Sequence, residues 1–340
     1  MAESSDRIIK QEIIDVLGSE YNGFKLRVFP EGSNDDQRLF ANGGLTFGFN
    51  GIPYGSCDAA WYLDKDWLDG YDKNKINCFP IIGLEGTDAL NRKSSGNAQY
   101  QRFHHALGAV KNGLIGIYYL RPGSDKMQED LYGMAYNASK KEDGYYLVIQ
   151  DLNIIKDILN LYNDKKELVK YLNEYLDKTY KIFLEKFNKI YKGDWNIFAE
   201  KRSTIIKDDY IIKYAGRMKR NFTDGSQRAG HIAVGEMYLT KYYFYDKKFY
   251  YLFLKTTRDD VEYLDKHKSD DKEWFLLRHE PNVEIKTIDD IEGLEKDIKD
   301  KLIKIKDEPI KGGAGKIYNQ CVKLIASGLK NGKYSINQNE

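Results

Sequence analysis

The chain contains little cysteine: Cys57, Cys78 and Cys321 are the three thiols among 340 residues. Three scattered thiols are too few for a disulfide framework, and they lack the spacing of a structural zinc site. No apolar run reaches the 18 residues expected of a membrane-spanning helix. Residues 1–10 are polar and charged, with no apolar segment behind them, unlike a secretory signal peptide. These absences predict a protein without a membrane span in a reducing cytoplasm.

The chain also lacks an excess of charge of either sign. Lysine and arginine number 53 and aspartate and glutamate number 52, which gives a formal net charge of +1. Total charge therefore does not indicate a polyanionic partner, and only the distribution of charge could do so. Aromatic residues make up 14% of the chain, which is too many for a disordered protein. A folded chain of this length forms one large domain or two smaller ones.

Helical and strand-like segments alternate in the first half of the chain. Apolar residues recur at helical spacing within 5–20 and again within 96–112. The predicted strands are 25–29, 45–49, 59–63, 78–84, 114–120 and 145–149, with residues 51–56 predicted as a turn. Residues 152–192 are predicted to be helical and to pack on the core or on a partner chain. The order predicts an α/β (α+β) fold in which helices flank a central mixed sheet.

A boundary near residue 195 divides the prediction into domains 1–195 and 196–340. The second domain is predicted to be an α+β region, with strands at 210–214, 237–245 and 249–254 and a helical tail over 289–328. A glycine-rich segment at 312–316 lacks the spacing of a phosphate-binding loop and is interpreted as an ordinary loop. Neither a G-x-S-x-G nor an HExxH motif occurs.

Two acidic residues lie on short apolar segments, where an unpaired carboxylate is costly to bury. Asp58 opens the predicted strand 59–63, and Glu85 ends the predicted strand 78–84. Carboxylates on adjacent strands supply the hard oxygen ligands of a divalent metal that activates water for phosphodiester cleavage. Simpler interpretations stay open: Asp58 can begin a turn after Gly55 and Ser56, and Glu85 can end a strand before a loop.

These residues resemble the PD-(D/E)XK nuclease fold and, within it, the type II restriction endonucleases. The resemblance covers residues 5–150 and rests on Asp58, on the strand 81–87, on the helix that bears Gln99 and Gln101, and on the strand after that helix. It implies a restriction-endonuclease-like arrangement of the sheet. It also implies a homodimer whose two-fold axis matches a palindromic DNA site.

The resemblance further implies that Asp58 and Glu85 bind Mg²⁺ and that a lysine two positions after the glutamate assists catalysis. That position is Thr87 in this chain. Lys93, just past the strand, is one candidate for the missing basic group. Gln99 or Gln101 is the other candidate, since either could hold the water or a phosphate. An inactive site on the same fold is the alternative.

Two polar segments are candidates for contact with DNA. Arg102 could approach the scissile phosphate, where an arginine offers charge-assisted bidentate contacts. The segment 217–231 carries side chains suited to phosphates and base edges around a predicted turn at Asp224 and Gly225. Its predicted DNA contacts are Arg217, Lys219, Arg220, Asn221, Gln227 and Arg228. The alternatives are a solvated helix face for the first segment and an exposed polar loop for the second.

The expected function is a cytoplasmic, Mg²⁺-dependent type II restriction endonuclease of a restriction-modification system that cuts double-stranded DNA at a short sequence. A catalytically inactive DNA-binding or regulatory protein on the same fold is the first alternative. A carbohydrate-active enzyme that uses Asp58 and Glu85 as paired carboxylates is another.

Overall fold

The computed structural model divides the chain into two compact units. The first comprises residues 1–185 with 278–280, and the second comprises residues 186–277 and 281–340. The described residues are 5–28, 45–49, 52–63, 81–91, 99–100, 102–191, 201–206, 211–215, 239–243, 249–253, 255–266, 283–291, 293–305, 320–321, 323–325, 327–329 and 335–338.

Strands and helices alternate along the first unit. In chain order its elements are α1 (Ser5–Leu17), β1 (Glu20–Tyr21), β2 (Phe24–Val28), β3 (Leu45–Phe49), β4 (Ile52–Cys57), β5 (Ala59–Leu63), β6 (Ile82–Thr87), two turns of 3₁₀ helix (Ala89–Asn91 and Phe103–Ala106), α2 (Leu107–Lys111), β7 (Ile115–Leu120), α3 (Asp130–Lys141), β8 (Tyr145–Ile149), α4 (Asn153–Leu161) and α5 (Lys165–Tyr191).

A six-stranded mixed sheet of order β1-β2-β5-β6-β7-β8 forms the centre of this unit. The strands from β1 to β6 pair antiparallel, whereas β6, β7 and β8 run parallel. Parallel neighbours need a crossover, and the second 3₁₀ turn with α2 lies between β6 and β7. The α/β fold class with a mixed sheet and helices is therefore confirmed.

The main hydrophobic core lies on one face of this sheet, where α1, α4 and α5 pack. Helix α1 contributes Ile9, Ile13 and Leu17, which recur at helical spacing as the sequence predicted. Helix α5 contributes Leu172 and Leu176, so the prediction that residues 152–192 pack on the core is confirmed. Burial of this apolar face stabilises α1 and holds it against the sheet.

Aromatic packing covers the opposite face of the sheet. The ring of Phe103 stacks on that of Tyr146 at 4.3 Å between centroids and meets Tyr118 edge-on at 5.9 Å. Because successive strand residues point to opposite faces, Glu85 and its cross-strand neighbour Tyr118 both point toward this second face. The acid of β6 therefore points away from the main core.

Two strand predictions need correction near the acids. Residues 52–57 form β4, paired antiparallel with β3, where the sequence predicted a turn because of its glycines and Pro53. The ladder is irregular next to Pro53, which is where a sheet tolerates proline. Strand β6 continues two residues past Glu85, since Thr87 still pairs with Leu120 of β7. Residues 78–80 lie outside the described residues.

The predicted helix 96–112 is shorter where the structure describes it. Among the residues described there, helical backbone occurs at Gln99, in the 3₁₀ turn 103–106 and in α2, and Arg102 directly precedes that 3₁₀ turn. Its apolar positions are nevertheless buried, which confirms the predicted face: Tyr100, Phe103, Ala106, Leu107 and Val110. The sequence analysis missed α3 entirely, although Leu131, Met134 and Ala138 lie on one buried face.

The described residues of the second unit form two small sheets. Its elements are β9 (Lys201–Ile206), β10 (Ile211–Ala215), β11 (Leu239–Tyr243), β12 (Phe249–Phe253), α6 (Arg258–Lys266), β13 (Val283–Thr287), a 3₁₀ turn (Ile288–Asp290), α7 (Lys296–Ile305) and β14 (Ser335–Gln338). Strand order is β10-β9-β14 in one sheet and β11-β12-β13 in the other. The predicted strands 210–214, 237–245 and 249–254 correspond to β10, β11 and β12, so the α+β character of this region is confirmed.

Candidate functional site

Asp58 lies between β4 and β5, next to the strand that carries Glu85. Its backbone N–H donates to the carbonyl of Leu84 at 2.8 Å. Its side-chain Oδ2 accepts a 2.9 Å hydrogen bond from the backbone N–H of Gly86. With 8% of its surface exposed, Asp58 is a buried carboxyl that the main chain of β6 holds in place.

Glu85 is almost completely buried, at 1% exposure. Its Oε1 accepts a 3.3 Å hydrogen bond from Nη1 of Arg102, and Nδ1 of His105 lies at the same distance from that oxygen. Both partners come from residues at the 3₁₀ turn 103–106. One wall of the site therefore consists of Arg102, which was a predicted DNA contact, and His105, which was not among the predicted site residues.

Lys10 approaches the site from α1. Its Nζ lies 3.9 Å from Oδ1 of Asp58, and 13% of its side chain is exposed. The residue was not among the candidates from the sequence, because helical periodicity reports which face of α1 is buried and not what that face meets.

Burial and a neighbouring acid disfavour ionisation of Asp58. Burial, and secondly the charge of Glu85, raise the pKa of Asp58 to about 8, against the opposing effects of the Gly86 hydrogen bond, Lys10 and Arg102. Burial likewise raises the pKa of the Cys57 thiol well above its usual range, with Glu85 and Asp58 adding to the effect. A buried carboxyl whose pKa is strongly raised is a frequent mark of a functional site.

Asp58 and Glu85 are the residues of the site whose oxygens could hold a divalent cation. Carboxylate oxygens are the hard ligands that such an ion prefers, so the chemistry of the two donors fits it. Within the described part of the chain, no three His, Cys, Asp or Glu side chains cluster closely enough to form a larger ligand set. Two carboxylates suffice for Mg²⁺, which usually completes its shell with waters and substrate phosphates.

Gln99 is buried at 3% exposure and serves a loop. Its Oε1 accepts from the backbone N–H of Gln128 at 2.8 Å, and its Nε2 donates to the carbonyl of Lys126 at 3.0 Å. The hydroxyl of Tyr118 donates to the carbonyl of Gln99 at 3.0 Å. Both ends of the carboxamide are thus used to hold residues 126–128, and its predicted catalytic role stays a prediction.

Several predicted site residues lie outside the described residues. Lys93 is one of them. The predicted DNA contacts Arg217, Lys219, Arg220, Asn221, Gln227 and Arg228 are the others. Their roles stay predictions.

The fold and the site together define a mixed α/β protein with a buried pair of carboxylates at adjacent strands. No protein-family model, curated protein or solved structure matches the chain. Within the described ranges, no helix has the length and apolar character needed to cross a membrane.

Proposed function

We propose that this chain is a Mg²⁺-dependent endonuclease of the PD-(D/E)XK type that hydrolyses phosphodiester bonds in double-stranded DNA. In the narrower form of the proposal it is a type II restriction endonuclease that acts as a homodimer in a restriction-modification system. The observation that carries the proposal is the 2.9 Å bond from the N–H of Gly86 to Oδ2 of Asp58. It joins one buried acid to the strand that bears the other.

Asp58 and Glu85 would hold the metal. When bound, Mg²⁺ supplies positive charge to phosphate oxygens and lowers the pKa of water. Hydrolysis then joins the water oxygen to phosphorus and breaks one P–O ester bond, while the proton that water loses balances the one that the leaving oxygen takes up. The protein contributes two carboxylates that the fold already holds in place, so no free energy is spent on reorganising them during the reaction.

The basic wall supports the choice of a phosphate substrate. Arg102 has 37% of its side chain exposed, so its guanidinium can donate to a phosphate as well as to Glu85. His105 has 25% of its side chain exposed beside the same oxygen. Two basic groups at the rim of an acidic pair suit a substrate that carries negative charge next to a cation.

Digestion of a sequenced, unmethylated phage genome with Mg²⁺, followed by mapping of the fragment ends, tests the proposal. Wild-type protein is expected to give discrete ends that share a short sequence. Glu85→Gln is expected to lower the cleavage rate by at least about 10³-fold, because the buried site loses one of its two carboxylates. Glu167→Gln removes an acid from the exposed surface of α5 and is the matched control, expected to cut like the wild type.

Cleavage that survives Glu85→Gln unchanged would overturn the site assignment.

A catalytically inactive DNA-binding or regulatory protein is the second candidate, and two observations favour it. Thr87 stands where the family has its lysine, and Arg102 and His105 already surround Oε1 of Glu85. Salt-dependent binding of DNA with no cleavage of any sequence would select this second function.

A further inference from the structure

Lys10 is the described lysine that reaches the acidic pair. We propose that Lys10 is a catalytic residue whose ammonium group contacts the scissile phosphodiester and offsets the negative charge that develops there. The proposal rests on the proposed nuclease function and gives the chain a lysine that Thr87 does not supply. It is carried by the 3.9 Å approach of Nζ to Oδ1 of Asp58.

The two oxygens of Asp58 face different groups. Oδ2 accepts the hydrogen bond from the N–H of Gly86, whereas Oδ1 faces Lys10. A separation of 3.9 Å exceeds hydrogen-bonding distance, so Nζ of Lys10 lies beside Oδ1 without donating a hydrogen bond to it. A substrate phosphate oxygen can therefore bind Nζ without a hydrogen bond to Asp58 first being broken.

Helix α1 is held in a fixed position at this point. A Cβ built on Gly86 would overlap Cγ2 of Ile9, so the helix lies directly on the strand that carries Glu85. Ile9 is fully buried and adjoins Lys10 in sequence. The position of Lys10 is therefore set by close packing at the site itself, which is what preorganised catalysis requires.

A second contact anchors the same helix. Arg121 donates from Nε to Oε2 of Glu12 at 3.0 Å and from Nη1 to Oδ1 of Asp88 at 3.1 Å. This pair of bonds ties α1 to the residues that follow β6 and β7. Lys10 lies between the two anchors, Ile9 on one side and Glu12 on the other, so its backbone has little freedom to move away from Asp58.

The other groups near the acids have different contacts. Thr87 hydrogen-bonds with the hydroxyl of Tyr118, and the carboxamide of Gln99 bonds to the backbone of 126–128. Arg102 and His105 contact Glu85. Within the described residues, Lys10 is thus the lysine whose ammonium group lies beside Asp58.

The test compares Lys10→Met, which keeps the apolar stem and removes the charge, with Lys10→Arg and with Arg7→Gln. Arg7 is an exposed residue one turn earlier on α1, so its substitution is the matched control. We expect single-turnover cleavage of the phage DNA to fall about 10²- to 10³-fold in Lys10→Met, the cost of removing one transition-state donor. Lys10→Arg should recover part of that loss, and Arg7→Gln should cut like the wild type.

Binding of Mn²⁺ provides a readout that is independent of activity. Removal of the ammonium group beside Oδ1 should tighten Mn²⁺ binding to Lys10→Met, measured by titration calorimetry, by roughly two- to tenfold. Tighter metal binding together with slower cleavage supports the catalytic role. A lysine that lies beside Asp58 without touching the substrate would tighten binding on removal but leave cleavage at the wild-type rate. A denaturant titration of each variant checks that the fold is kept.

The outcomes separate the two proposals. If the wild type cuts and Lys10→Met cuts within threefold of it, the role of Lys10 is overturned while the nuclease function stands. Weaker Mn²⁺ binding in Lys10→Met would overturn it too. If the wild type cuts no DNA, the nuclease function fails and the role of Lys10 fails with it.

Discussion

The backbone N–H of Gly86 donates a hydrogen bond to Oδ2 of Asp58 across 28 residues of sequence. Gly86 directly follows Glu85, so this bond fixes Asp58 next to the backbone that carries Glu85. A Cβ on Gly86 would also overlap Ile9, so α1 packs directly against this glycine. The residue that joins the carboxylates therefore also positions the helix that bears Lys10.

Substitution of Asp58 should stabilise the metal-free protein at high pH. The folded-state pKa of Asp58 is raised to about 8, so the native state holds a proton that the unfolded chain releases near pH 4. Stability is therefore lost as pH rises from about 4 to about 8. Asp58→Asn removes this dependence and should add roughly 1–5 kcal/mol at pH 8 and much less at pH 5.

Denaturant unfolding of the wild type and of Asp58→Asn in a chelator, at pH 5 and pH 8, measures this difference. Asp125→Asn, at an exposed loop position, is the control and should show no pH-dependent gain. An equal gain at both pH values would mean that the effect does not come from ionisation of Asp58.

Gly86→Ala should destabilise the first unit and displace α1. The added methyl group meets Cγ2 of Ile9, and overpacking of this kind costs about 1–3 kcal/mol. In the double variant Ile9→Ala with Gly86→Ala, the added methyl group has room. The loss of unfolding free energy in the double variant should therefore be smaller than the sum of the losses in the two single variants. A double-mutant cycle of unfolding free energies measures the coupling, and simple additivity would contradict the packing argument.

Gln99→Met should loosen the loop at residues 126–128. The substitution keeps most of the side-chain volume but leaves the N–H of Gln128 without its acceptor, which costs about 1–3 kcal/mol. The backbone N–H of Gln128 should exchange with solvent faster, because the free energy of opening this loop falls by a similar amount. Single-turnover cleavage measured on the same variant checks the separate prediction that Gln99 acts in catalysis. Unchanged exchange would contradict the structural role.

Arg102→Met should weaken DNA binding in a salt-dependent way. If the exposed guanidinium contacts one phosphate, its loss lowers the slope of log affinity against log salt concentration by about 1. Ca²⁺ in place of Mg²⁺ allows binding to be measured by fluorescence anisotropy without cleavage. Lys170→Met on the exposed surface of α5 is the control. A slope that does not change in Arg102→Met would remove this residue from the DNA-contact predictions.

Much of the first unit could be predicted from local pattern. The predicted strands 45–49 and 145–149 have the same first and last residues as β3 and β8. Short apolar runs between polar turn residues indicate strands from the local sequence alone. Helix α1 has the predicted buried face. Strand β4 was missed because Pro53 and its neighbouring glycines favour turns, and only pairing with β3 makes them a strand. Helix α3 was missed although its buried face has helical spacing.

The sequence by itself was enough to predict the mixed α/β fold class. It also identified Asp58 and Glu85 as unusual residues, since an acid on an apolar segment is a local conflict between residue type and pattern. The tertiary structure decided what surrounds them. Lys10 lies 48 positions before Asp58, and His105 lies 20 positions after Glu85, yet each contacts its acid. Such contacts depend on which helix packs on which strand. Periodicity specifies that a residue is buried but not against what, so the basic partners of the acids emerge only from the folded chain.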